Sequence, residues 1–342
     1  MSTPNPRAKG RTTLQHVAEK AGVSPITVSR ALRGERAVAP ELVERVRAAA
    51  DALGYVPDPA ARALASRHSN HVAVLIPLLS NTLFVELVEN VQSTLRAAGF
   101  QTLIGITHYD PDEEEQLLRE QLAHRPAGLL VTGFERNEAT RRLIDASGLP
   151  CVYTMETSDR PGVHCVGFSQ QAAGQAVTAH LLAGGARRIA YVGAQLDARV
   201  LQRADGWRRC LEAAGCHDPA LQFLVPEPSS LALGARMFEQ VMALPRPPEA
   251  IFFCNDDLAQ GALLAALRLG IAVPGRVAVA GFNDLPGSDQ MVPTLTSLRT
   301  PRGEIGSRAA AMLLQLMQGR PVPESCVELP YELVARGSTS AA

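Results

Sequence analysis

The stretch RTTLQHVAEKAGVSPITVSRALRGERAVAPELVERVRAAADALGYV, starting at Arg11, constrains the fold of this chain more than any other segment. Leu14, Val17, Ala18 and Ala21 recur at the i, i+3, i+4, i+7 spacing of one helix face. Gly22 follows, and a residue without Cβ permits a sharp change of direction that a bulkier one resists. Ser24 is placed to accept the free amide hydrogens of a second helix. Pro25 suits the first position of that helix, because its φ is already set and no donor is wasted. Within it Val28 and Leu32 point inward with Val23, which leaves Pro25, Ile26, Thr27, Ser29 and Arg30 facing outward. A third helix, Pro40 to Leu53, closes the bundle through Val43, Val46 and Leu53, and Gly54 ends it.

Two short helices joined by a tight turn, braced by a third, form a helix-turn-helix whose second helix lies in the DNA major groove. The outward residues have the chemistry for it. Arg30 presents a planar fork to guanine O6 and N7, Ile26 offers an apolar contact to a thymine methyl, and Thr27 and Ser29 suit phosphate oxygens. Charge points the same way. Through His71 the chain carries eleven Lys and Arg against six Asp and Glu, a surplus of +5, while the whole chain carries −1. One region is built for a polyanion and the rest is not.

From Val72 onward, short apolar runs bounded by turn residues alternate with helical patterns. HVAVLIP, FVELVENVQSTLRAAG, QTLIGIT, EEEQLLREQLAHR and GLLVT make one series. RRIAYVG, a helix around Trp207 to Ala214, FLVPE, a helix from Gly234 to Ala243, AIFFCN and VAVAGF make another. This alternation predicts two doubly wound parallel sheets, with ligands expected outside the carboxyl ends of the strands in a cleft between lobes. The chain is expected to cross between lobes near residues 167–169, 293–297 and 321–325. The domain reading is therefore 11–57 for the helix-turn-helix, 58–71 for a linker, and 72–337 for the two lobes. Lobe one takes about 72–167 and 297–322, and lobe two about 168–296 and 323–337.

Catalytic constellations are absent by inspection. The eight histidines show neither a metalloprotease pair nor a zinc spacing, so no metal, cofactor or catalytic residue is expected. Six scattered cysteines read as reduced thiols, and Met1 to Lys9 is polar and short, neither signal peptide nor membrane span, so a cytoplasmic protein without a membrane partner is expected.

The motif TLQHVAEKAGVSPITVSRAL, followed by LGYVPDPAARALAS, resembles the amino terminus of the LacI/GalR family of bacterial repressors. The likeness continues through FFCNDDLAQGAL and VAVAGFNDLPGSDQMVPTLTSL, and VGFSQQAAGQA, IAYVGAQLDAR and IFFCNDDLAQGA are most similar to its gluconate-utilisation branch. The resemblance implies an α plus α/β protein: a three-helix DNA-binding domain, a hinge helix, and a two-lobed effector domain like a periplasmic binding protein. It implies a homodimer on double-stranded operator DNA, with Leu64 wedged between central base pairs from the minor groove and Arg62 near the groove wall. Packing of Leu64 against its own domain is the alternative. The run Pro59 to Ser66 is too short to be a stable helix alone, so order there must come from a partner.

In the cleft the resemblance places Ser80, Asn81, Arg199, Arg203, Asn255 and Asn283 on loops after the strands. Arg203 matches the family's effector-binding arginine, and Asn255 and Asn283 match its sugar-hydroxyl binders. Sugar-binding relatives carry aspartate at the positions of Asn283 and Met155. Their neutral replacements here ease the binding of an anion, and Arg199 with Arg203 form a candidate carboxylate clamp. Arg199 bridged to Asp197 is the alternative. Phe84, Phe134 and Phe168 are candidates for the pocket wall. These readings favour a repressor of sugar-acid genes, with gluconate or 2-ketogluconate as effector, released from its operator by that effector. A regulator of a neutral sugar or purine pathway, corepression, or a solute-binding protein of the same fold remain the other readings. No leucine-rich heptad tail follows at RGSTSAA, which favours a dimer over a tetramer.

Overall fold

A computed structural model describes residues 12–32, 38–56, 69–80 and 82–339. The chain divides into two compact units, 1–69 and 70–342. In the first, α1 spans Leu14–Ala21, α2 Pro25–Leu32 and α3 Pro40–Ala52. Thr13 caps α1 through its hydroxyl, which accepts from the His16 amide, while His16 Nδ1 accepts from the Thr13 amide in return. Gly22 ends α1 at φ +64, the left-handed conformation that glycine adopts without penalty. Ser24 Oγ accepts the Thr27 amide at 3.2 Å and so starts α2. Val17, Ala18, Ala21, Val28, Ala31, Val46, Ala49 and Ala50 form the core, with Leu14, Val23, Leu32, Val43 and Leu53 partly buried around it. Of the five small alanines in this core, the helical spacing picks out Ala18 and Ala21 but not Ala31, Ala49 and Ala50.

The second unit holds two six-stranded sheets. β1 (His71–Ile76), β2 (Gln101–Ile106), β3 (Gly128–Thr132), β4 (Cys151–Thr154) and β5 (His164–Gly167) belong to the first, with α4 (Thr82–Ala97), α5 (Pro111–Ala123) and α6 (Glu138–Ser147) between them. β6 (Ile189–Ala194), β7 (Gln222–Val225), β8 (Ala250–Phe253), β9 (Ala278–Asn283) and β10 (Thr296–Arg299) belong to the second. Its helices are α7 (Gln170–Ala183), α8 (Ala198–Ala213), α9 (Leu231–Met242) and α10 (Asp256–Leu269). α11 (Arg302–Met317) then precedes β11 (Cys326–Glu328), which joins sheet one, and β12 (Glu332–Val334), which joins sheet two. The orders are β11-β5-β4-β3-β1-β2 and β12-β10-β9-β8-β6-β7, parallel except for the β10–β12 pair. The two sheets thus repeat one topology. Each reverses direction beside its first strand, at β1/β3 and at β6/β8, and that is where a crevice opens past the strand ends. The central strands β6 and β8 are buried along their whole length, as strands covered by helices on both faces must be.

Two of the three expected crossings fall elsewhere. The first does lie between Gly167, which ends β5, and Gln170, which starts α7. β10, however, pairs with β9 in sheet two, so the second crossing is at 300–301 rather than 293–297. β11 pairs with β5 in sheet one, which moves the third from 321–325 to 329–331. Both strands are three or four residues long and take their place from partners remote in sequence, which local patterning does not reveal.

Within sheet two, α7 and α8 cross at a pair of glycines. A Cβ on Gly174 would lie 2.4 Å from the Arg203 carbonyl oxygen, and one on Gly206 would lie 2.1 Å from that of Gln171. Backbone therefore rests on backbone, and this close approach fixes where α8 presents its side chains.

Candidate functional site

In the first unit α2 offers the candidate DNA-reading face. Pro25, Ile26 and Arg30 are exposed and Thr27 and Ser29 half-buried, while Val28 on the opposite face is fully buried. Ile26 is 66% exposed, a large β-branched side chain in water where a groove contact would cover it. Ser24 Oγ and Thr27 Oγ1 lie 2.8 Å apart, so both hydroxyls are held at the mouth of the helix. Arg62 and Leu64 lie outside the described residues.

The second site is a cavity of about 190 Å³ past the carboxyl ends of both sheets. Sheet one supplies Leu78 and Ser80 after β1, Tyr109 after β2 and Met155 after β4, with Leu83 and Phe84 from α4. Sheet two supplies Gln195 and Asp197 after β6, Ser229 and Ser230 after β7, Asn255 and Asp257 after β8, and Asn283 at the end of β9. Arg199 and Arg203 complete the wall, and they are on α8 rather than on a loop. That helix starts at Ala198, well before Trp207 where the sequence reading began it, because Asp197 Oδ1 accepts the amides of Arg199 and Val200 and caps it. Arg199, Arg203 and Trp207 then follow at intervals of one turn.

Arg203 is held on three sides. Its Nε donates to Gln170 Oε1 at 2.8 Å, its Nη1 donates to the Cys254 carbonyl oxygen, and its guanidinium lies 4.1 Å from the centre of the Phe282 ring. Gln170 in turn donates to the Met155 carbonyl oxygen at 2.9 Å, which joins this arginine to sheet one. Arg199 donates through Nε to Asp197 Oδ1 at 3.2 Å and lies 5.8 Å from the Tyr109 ring centre. Burial disfavours its charge, but Asp197, Tyr109 and Glu156 outweigh that and hold its pKa above the usual arginine value. For Asp197 burial is likewise overcome, here by Arg199, Arg203 and the two capping amides, and its carboxyl sits below the usual range. Asp257 has no such compensation, and burial pushes its carboxyl up.

The two asparagines differ. Asn255 is used by the fold: its Oδ1 caps α10 by accepting the Leu258 amide, and its Nδ2 donates to Ser229 Oγ. Asn283 is 3% exposed, and its Oδ1 has no hydrogen-bond partner among the described residues. Its backbone sits at φ +103, in the left-handed half of conformational space. A buried amide oxygen without a partner costs roughly 1–3 kcal/mol.

Other sequence candidates fall differently. Asn81 lies outside the described residues. Phe168 is off the cavity wall: it is packed in the core, 6.4 Å from the Phe282 ring centre and edge-on to Tyr331. Phe134 also turns away and stacks on Tyr153, whereas Phe84 lines the cavity. Tyr109, Gln195, Ser229, Ser230 and Asp257 escaped the sequence reading. Tyr109, Ser229 and Ser230 lie in THYDP and PEPSS, two segments that follow strand ends, while Gln195 and Asp257 stand beside the candidates Arg199 and Asn255 in motifs already singled out.

Sheet one also grips the start of α8 at the rim of the cleft. Glu135 Oε2 accepts the Ala198 amide at 2.9 Å, and Glu156 Oε1 accepts from Gln202 Nε2 at 2.8 Å. On the far side Arg302, at the start of α11, donates to the carbonyl oxygens of Asn283 and Asp284. Among the described residues no group of three or more metal-ligating side chains occurs, and no helix is long and apolar enough to cross a membrane.

Residues 13–58 match the model of the lacI family of bacterial regulatory proteins, and residues 178–339 that of a periplasmic binding protein-like domain. An HTH-type transcriptional regulator GntR from Pseudomonas aeruginosa is 57% identical over 98% of both chains. The crystal structure of transcription regulator GntR from Chromobacterium violaceum is similar at 48% identity and TM-score 0.77, over 79% of this chain and 99% of that one. The lac repressor dimer bound to operator and the anti-inducer ONPF is similar at 26% identity and TM-score 0.87, over 97% of this chain and all of the other. A helix-turn-helix in one unit, a cavity between two lobes in the other and near-full-length likeness to such regulators have one joint meaning: the chain belongs to the lacI family of bacterial regulatory proteins.

Proposed function

We propose that this transcriptional repressor senses a sugar acid, with gluconate as the ligand to test, and leaves its operator when that ligand fills the cleft. The observation that carries the reading is Arg203, braced by Gln170, Cys254 and Phe282, lining one cavity with the amide residue Asn283. A carboxylate accepts from the guanidinium, and a hydroxyl pairs with an amide side chain such as that of Asn283, so a hydroxy acid suits this lining. Arg199 already has Asp197 as partner, which reduces the two-arginine clamp to Arg203 with Arg199 in support. Asp257, Ser229 and Ser230 supply acceptors and donors for the remaining hydroxyls.

Two copies acting together on a near-palindromic operator complete the proposal. Its support is the lac repressor relative, solved as an operator-bound dimer, and the exposed Leu264, Leu267 and Leu269 at the outer end of α10. A cytoplasmic location follows from a role on chromosomal DNA. Calorimetry tests the ligand: gluconate is expected to bind the full chain, and Arg203→Ala to weaken it by at least 100-fold, the loss of a charged hydrogen-bonded pair worth about 3 kcal/mol. Glucose binding more tightly than gluconate would overturn the sugar-acid reading.

A further inference from the structure

We propose that Cys165 and Cys326 form a reversible disulfide under mild peroxide, which ties together the roots of two of the three connectors between the lobes. The two residues are direct register partners on the parallel strands β5 and β11, although 161 positions separate them in sequence. Neighbouring strands run about 4.8 Å apart, inside the Cα separation of about 4.4–6.8 Å that a disulfide spans. Their Sγ atoms lie 2.8 Å apart, less than 1 Å beyond the roughly 2.05 Å of a disulfide.

The pair is asymmetric in the way such chemistry needs. Cys165 is fully buried, and burial together with its neighbour pushes its thiol up to about 12. Cys326 is half-buried and so within reach of a small oxidant, and its sulfur accepts the Ser158 amide at 3.4 Å. Cys326 is thus the reactive sulfur and Cys165 the resolving one. The Cys326 thiolate attacks one oxygen of hydrogen peroxide, the O–O bond breaks, water leaves after proton uptake, and the sulfur becomes a sulfenic acid. The Cys165 sulfur then attacks that sulfenic sulfur, its S–O bond breaks, and a second water leaves with the Cys165 proton. Two thiols are oxidised and one peroxide is reduced to two waters.

Position gives the bond a consequence. β5 leads directly into the connector at 167–169, and β11 into the connector at 329–331. β11 is a three-residue edge strand bonded only to β5 within its sheet, so its order depends on few contacts. Opening and closing of lobes require backbone rotation in the connectors. A covalent link at both roots restrains that rotation, whatever ligand occupies the cleft.

The test uses the full-length chain treated with hydrogen peroxide, followed by thiol titration, non-reducing peptide mapping and amide hydrogen exchange. The expected result is a loss of two thiols per chain, a linked peptide pair containing Cys165 and Cys326, and reversal by dithiothreitol. Exchange at the amides of Leu329 and Tyr331 is expected to slow at least several-fold in the oxidised form. Cys326→Ser, at the half-exposed position, should abolish the link, and Cys165→Ala should leave a sulfenic acid on Cys326 that dimedone captures. Peroxide treatment that leaves all six thiols titratable, links a different pair, or forms this link without slowing exchange overturns the proposal.

Discussion

At the scale of single residues, Asn283 decides what the cavity accepts. It sets a neutral amide in the wall of the cavity that Arg203 lines, which suits an anion that also carries a hydroxyl. Asn283→Asp puts a carboxylate in the same volume, where it repels a bound carboxylate and pairs with the arginine in its place. Gluconate affinity is expected to fall by at least tenfold, about 1.4 kcal/mol, in calorimetry of this variant. An unchanged affinity would place the ligand's carboxylate elsewhere. Much of this chemistry was legible in the sequence, because Asn255 and Asn283 sit at strand-end positions and Arg203 stands four residues before Trp207 in a recognisable motif. Which asparagine has a spare oxygen was not, since the Ser229 and Leu258 partners that occupy Asn255 are fixed by folding.

At the scale of elements, the glycine crossing of α7 and α8 places Arg199 and Arg203. Gly174→Ala pushes a methyl group into the backbone of Arg203 itself, a displacement no rotamer relieves. It is expected to cost about 1–3 kcal/mol of stability in denaturant unfolding and to weaken ligand binding as well. Loss of stability with full ligand affinity would separate the crossing from the site. The start of α10 carries a second prediction. Asp256 is fully buried, and although it accepts from Ser297 Oγ and the Leu285 amide, burial pushes its carboxyl up to about 7. Its folded pKa thus exceeds the unfolded value of about 3.9, so between these pH values the native state holds the extra proton. The stability this contributes is complete below pH ~4 and lost as pH rises through 7. Thermal unfolding from pH 6 to 8 is expected to show this loss in the native chain and less of it in Asp256→Asn. Equal slopes in the two proteins would assign the effect to other groups. The long helices and central strands were legible because their apolar periods are strong. β10 and β11 were placed in the wrong lobes, because strands of three or four residues acquire their sheet only through distant partners. The start of α8 was missed through the polar Asp197-Ala-Arg-Val run, whose cap is a single side chain.

At the scale of the whole molecule, the proposed response is a linkage between a small cavity and a DNA-reading helix. The second unit provides two lobes of one topology, three connectors, and contacts across the cleft from Glu135 and Glu156 to the start of α8. A ligand that favours one relation of the lobes shifts the protein only by its difference in affinity for the two states, and the effect on operator affinity is reciprocal. The direct measurement is fluorescence anisotropy of full-length protein on an operator fragment selected from genomic DNA, titrated with gluconate at fixed salt, with Arg203→Ala in parallel. The account expects sequence-selective binding by both proteins, weakened at least fivefold by gluconate in the native chain and unaffected in Arg203→Ala. Operator binding that gluconate leaves unchanged in the native chain, or weakens equally in the variant, would contradict it.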